Sequence, residues 1–85
     1  MRLPLIKHIV GFIEENDSDF VLEAISLLEH ISDAKGIKDE EIDTIGELLS
    51  NMYGALEVNK MIAKGIPQLD ALNSFMKRVT SAIDK

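Results

Sequence analysis

The chain has 85 residues, which allows one small domain and no more, and it has no cysteine, which excludes disulfides, thiolate metal sites and cysteine nucleophiles. Hydrophobic residues make up 46% of it and charged residues 28%, the composition of a globular chain rather than a disordered one. Fifteen acids against nine bases give a net charge of -6, a balance that argues against nucleic-acid or anionic-membrane binding, where clustered cations are needed.

The first helix is predicted over Pro4–Glu15. Pro4 suits a first helical turn, where its missing N–H costs nothing. Leu5, Ile6, Ile9, Val10, Phe12 and Ile13 then recur at helical spacing, interrupted only by Gly11. Asn16-Asp17-Ser18 signals the next start, because Asp17 or Ser18 can accept from the free N–H groups of the following turn. The second helix carries Val21, Leu22, Ala24, Ile25, Leu28 and Ile31 as its apolar face. It runs to about Ala34, with Gly36 closing it in a left-handed conformation.

Asp39 is the expected cap of a third helix, with Glu40 and Glu41 in its first turn. Ile42, Ile45, Leu49, Met52 and Leu56 are spaced 3, 4, 3, 4, a heptad-like seam. The pattern continues through Val58, Met61 and Ile62 to Lys64, and Gly65 ends it. The fourth helix begins near Pro67, with Leu69, Leu72, Met76, Val79 and Ile83 at the same spacing and Lys77, Arg78 and Lys85 toward its C-terminal end. The expected fold is therefore all-α, a single helical domain over residues 1–85 in the form of a four-helix up-down bundle. Its third helix is too long for its neighbours, so it either bends near Asn51–Gly54 or projects.

No segment approaches the ~20 apolar residues of a membrane span. The apolar start is broken by Lys7 and His8, which argues against a signal peptide, so a cytoplasmic location is expected. A chain just above the roughly 70–80 residues below which domains need a staple or an oligomer is a natural homodimer. Gly46, Ser50 and Gly54 form a stripe of small residues at i, i+4, i+8 on the third helix. Such a stripe serves close packing within the chain, a dimer seam or a hinge. Charge is uneven: residues 14–47 hold twelve acids and two lysines, a sum of -10, which is either a solvated face or an attraction for a basic partner.

Constellations for chemistry are weak. Glu40, Asp43 and Glu47 share a helical face on which a divalent cation would bridge only loosely, and Asp17-Ser18-Asp19 lacks the later ligands and the glycine of a calcium loop. His8 and His30 have no glutamate three residues before them, as di-iron sites require, and no nucleophile–base pairing is evident. Lys77, Arg78 and Lys85 are too small a basic patch for nucleic acid. Met52, Met61, Met76, Tyr53 and Phe75 are either core or a pliable binding surface, and the Tyr53 hydroxyl needs water or a partner.

Asp17-Ser18 at a helix start is similar to the serine motif of acyl carrier proteins, although Asp19 stands where they have leucine. Asp33–Glu41 is similar to a helix junction of tellurite-resistance-type domains and reads equally as turn chemistry. Three stretches, MRLPLIKH (Met1–His8), IGELLSNMYGALEVNKM (Ile45–Met61) and ALNSFMKRV (Ala71–Val79), resemble a family of small uncharacterised bacterial proteins with a domain of unknown function, over nearly the whole chain. That resemblance carries no catalytic residue. It implies a thioredoxin or peroxiredoxin setting, in which a cysteine-free chain acts only as a partner.

The expected role is a non-enzymatic protein-interaction module that self-associates, with no cofactor, metal or catalytic residue, and with no nucleic-acid or membrane partner. Gly46, Ser50, Met52, Tyr53, Gly54 and Met61 are the expected contact residues. The alternatives are an acidic regulatory partner of a redox system, and a small carrier or weak metal-binding protein.

Overall fold

A computed structural model describes residues 2–83, with side chains through Thr80. The side chain of Ile83 and the whole of Lys85, both part of the expected fourth helix, lie outside the described residues. Four helices follow one another: α1 (Leu3–Glu15), α2 (Ser18–Ser32), α3 (Asp39–Ala63) and α4 (Gln68–Ile83). No strand occurs among the described residues, and none of the helices is long and apolar enough to cross a membrane.

Local chemistry sets the ends. Pro4 lies in the first turn of α1, and Asn16 closes that helix with both its backbone N–H and its side-chain amide on the Phe12 carbonyl, at 3.0 and 3.1 Å. Asp17 caps α2, its carboxylate accepting from the Asp19 N–H at 3.1 Å. Two expectations fail at the far end of α2. The helix stops at Ser32 rather than Ala34, and Gly36 is not left-handed. The Asp33 and Ala34 N–H groups instead reach back three residues to the His30 and Ile31 carbonyls. This tightened turn satisfies the terminal acceptors without a left-handed residue.

Lys38, not Asp39, is the cap position of α3. The Glu41 carboxylate reaches back to accept from the Lys38 N–H at 3.0 Å, leaving Asp39 and Glu40 in the first turn, where acids suit the helix dipole. The C-terminus of α3 is a complete Schellman motif: Gly65 N–H to Ile62 O (2.9 Å) and Ile66 N–H to Met61 O (3.1 Å). It demands a left-handed residue, and Gly65 supplies it at φ 97°.

α3 is one unbroken helix of 25 residues, about 37 Å long, against 13, 15 and 16 for the others. It packs against all three of them. α1 also touches α2 and α4, whereas α2 and α4 do not meet among the described residues. The core comes from every helix: Ile6, Val10 and Ile13; Val21 and Ile25; Ala55 and Val58; Ala71, Leu72 and Phe75. The buried positions of α3 begin only at Asn51, so its first three turns contribute no fully buried side chain. The predicted seam is displaced accordingly. Ile42 is exposed, Ile45, Leu49, Met52 and Leu56 are half-buried, and Asn51, Gly54, Ala55 and Val58 take the interior. A helix enclosed from three directions buries small residues where its neighbours approach, not one heptad row.

Asn51 is the one buried polar side chain among the described residues. Its Oδ1 accepts from the Arg2 N–H at 2.8 Å and its Nδ2 donates to the Glu47 carbonyl at 2.7 Å. The Arg2 guanidinium adds an exposed pair with Glu47 at 3.1 Å. The start of α1 is thereby tied to the middle of α3. Asn51→Ala leaves the donor at the start of α1 without its acceptor and should lower stability by about 1–3 kcal/mol. A urea melt reads this as a lower midpoint at constant slope; an unmoved midpoint removes Asn51 from this role.

Candidate functional site

A shallow apolar groove of about 340 Å³ lies where α1, α2 and α3 run together. Leu5, Ile9 and Phe12 come from α1, Phe20 and Ala24 from α2, and Leu48 and Met52 from α3. The Phe12 and Phe20 rings meet edge to face, with centroids 6.0 Å apart and planes at 86°, the arrangement the ring quadrupoles favour. Both residues remain about half exposed.

The groove continues along α2. Phe20, Ala24, Leu27 and Ile31 are spaced 4, 3, 4 and so fall on one stripe, while Val21 and Ile25 face the core. Phe20 is 56% exposed and Leu27 59%, with Ile31 also exposed. α2 is thus apolar on two adjacent sides, of which the fold covers one. At about 100° per residue, Asp19 and Glu29 lie roughly 110° or more from the stripe's centre and Glu23 borders it.

The predicted contact residues of α3 are not brought onto one face. A Cβ at Gly54 would sit 3.1 Å from Ile6 Cδ1 and from Cε2 and Cζ of Phe75, so that glycine serves the close approach of α1 and α4. Gly46 has nothing within 4 Å of such an atom, and Ser50 is half-buried between them. Met52 lines the apolar groove, and Met61 packs half-buried against the core. Tyr53 projects toward α2, its hydroxyl donating to Glu29 Oε2 at 3.0 Å. That bond holds the proton on the phenol. With desolvation and the carboxylate's charge, it raises the Tyr53 pKa above the ordinary 10.0.

The remaining candidates stay apart. Glu47 is paired with Arg2, and Glu40 and Asp43 are exposed. No group of three or more His, Asp or Glu gathers among the described residues. Ser18 is half-buried with its Oγ 3.5 Å from Asp17 Oδ1, at a position that capping by Asp17 explains. His30 is exposed on α2, and His8 is exposed at the groove's edge. Arg78 lies 5.7 Å over the Phe75 ring and 3.8 Å from Glu57, which also meets Lys60 at 3.6 Å. Its charge is thus engaged within the chain.

The model of a family of unknown function, DUF6952, matches residues 1–84. The chain belongs to the DUF6952 family. No curated protein and no solved structure is matched. Phe20 and Leu27 are exposed apolar residues of this DUF6952 chain that its sequence pattern did not single out. A signal for them existed: α2 carries more apolar residues than one buried face can use.

Two outcomes test this placement. Gly46→Ala gains helix propensity in open space and should raise stability by up to about 1 kcal/mol, whereas Gly54→Val overfills the α1–α4 approach and should lower it by about 1–3 kcal/mol; equal effects at the two sites would contradict the division. Tyr53 is the single tyrosine and tryptophan is absent, so ultraviolet titration reads its phenol alone. Glu29→Gln should bring that midpoint back down. Because the folded value is raised, the stability this bond contributes is present below pH 10 and is lost as pH rises through the raised value. An unshifted midpoint in the variant would remove Glu29 as the cause.

Proposed function

We propose that this DUF6952 protein is a non-enzymatic protein-interaction module that self-associates, with a homodimer as its working unit. The observation that carries the reading is its surface. The chain exposes 5955 Å², whereas a compact monomer of 9.5 kDa should expose about 5,000 Å². The excess of roughly 900 Å² is close to the ~800 Å² that one partner contributes to a standard protein–protein interface.

The molecule's shape supports the same reading. Its Cα radius of gyration is 13.9 Å, against about 12 Å for a compact chain of this length, and its extents are 43 × 35 × 17 Å. A slab this thin has little depth for a core. Large apolar side chains such as Phe12, Phe20, Leu27 and Leu48 stay in solvent as a result. Contiguous apolar surface of this kind marks interaction sites in soluble proteins.

Sedimentation velocity from low to high micromolar concentration should show the 9.5 kDa species giving way to one of twice that mass. A strictly monomeric chain at high micromolar concentration would overturn the proposal.

A further inference from the structure

Resting on that self-association, we infer that the second copy covers the Phe20–Ala24–Leu27–Ile31 stripe, the two α2 helices pairing antiparallel across a twofold axis between Ala24 and Leu27. A twofold interface uses one patch twice, so the patch must be its own complement. The stripe meets that condition. Antiparallel pairing about the midpoint of Ala24 and Leu27 sets Phe20 opposite Ile31 of the second copy, and Ala24 opposite its Leu27. The small side chain leaves the space that the large one fills, twice over, as knobs-into-holes packing requires.

Electrostatics agrees with a second copy in spite of the acidic excess around α2. The stripe itself carries no charge, Glu29 is turned well away from it, and Asp19 lies just beyond its edge. Glu23 and His30 share the edge bordering the stripe. Antiparallel pairing draws each Glu23 to within about one helical turn of His30 on the other copy, and it sets the helix dipoles head to tail. Parallel pairing would instead carry Glu23 and His30 of the second copy to the opposite edge of the seam and set each Glu23 against the Leu28 edge, with no cation to meet it. Phe12 and Leu48 extend the apolar face beyond α2. They supply area toward the roughly 900 Å² by which the chain's surface exceeds that of a compact monomer.

The test combines the introduction of charge on the face with direct contact detection. Leu27→Glu places a carboxylate at the centre of the seam and should weaken dimerisation at least about tenfold in sedimentation velocity. Leu27 is 59% exposed, so the far-UV circular dichroism and melting of the variant monomer should match the parent. Phe20→Glu should behave likewise. Leu69→Glu, at a residue of α4 that is 68% exposed and outside this face, should dimerise like the parent. In a mixture of isotope-labelled and unlabelled chains, filtered NOEs should connect the Phe20 ring of one copy to the Ile31 methyls of the other.

A dimer that survives both Leu27→Glu and Phe20→Glu would overturn this surface and leave self-association standing. A dimer lost in Leu69→Glu would move the interface to α4. Filtered NOEs from Ile31 to Ile31 would overturn the antiparallel register. A parent chain that remains monomeric, including one that captures a basic amphipathic peptide on this stripe, would overturn both the surface and self-association.

Discussion

Everything in this fold is arranged around two turns of one helix. Between Asn51 and Val58, α3 receives α1 and α4 on one side and α2 on another, and it can do so because Gly54 and Ala55 keep the backbone accessible there. With the space above Gly54 closed to 3.1 Å by Ile6 and Phe75, no branched residue fits at that position without moving its neighbours. Asn51 sits one turn earlier and ties the start of α1 to the same segment, through an N–H that would otherwise be an unsatisfied helix-terminal donor. Hydrophobic packing and the buried polar link at Asn51 are therefore concentrated in the same short stretch.

Concentrating the packing there has a geometric consequence. Helices gathered about the middle of a 25-residue rod leave its first three turns covered on fewer sides, and α2 and α4 make no contact among the described residues that would close a ring. The result is a slab rather than a ball. Each helix then has an inner and an outer face. For α1 and α4 the apolar residues largely fit the inner one. α2 has too many for that. Its Val21 and Ile25 satisfy the core, and Phe20, Leu27 and Ile31 remain outside. Burying one such side chain is worth about 1.5–3 kcal/mol. For a domain whose total stability is of the order of 10 kcal/mol, covering that stripe is a large contribution.

The helices were legible in the sequence because their punctuation is local. Pro4, Asp17, the acids after Lys38, Gly65 and Pro67 act within one turn of where they stand, and each falls at or beside an observed boundary. The failures were cases in which backbone geometry offered an alternative. Three-residue hydrogen bonds at the end of α2 made a left-handed Gly36 unnecessary. Burial along α3 was not legible, because the 3, 4, 3, 4 seam assumes one facing helix and α3 has three. The small-residue stripe was divided for the same reason: Gly54 lies under α1 and α4, and Gly46 lies beyond their reach. Phe20 and Leu27 were not legible as a second face because a single apolar face on α2 already accounts for its packing.

The acidity of residues 14–47 also changes meaning once its side chains are placed. Asp17 caps α2, and Asp19 stands at its positive end. Glu41 caps α3, Glu47 holds Arg2, and Glu29 accepts from Tyr53. These acids serve helix ends and local contacts, so the sum of -10 overstates the charge free to recruit a basic partner. Most of them are exposed, where each ion pair is worth little and salt weakens it further. An apolar stripe differs in kind. Phe20 and Leu27 remain more than half exposed among the described residues, and the contribution of covering them grows with area rather than fading with ionic strength. The self-association proposed above therefore draws on the uncharged side of α2, where Glu23 is the one acid at the border, and burial of area rather than ionic attraction would sustain it.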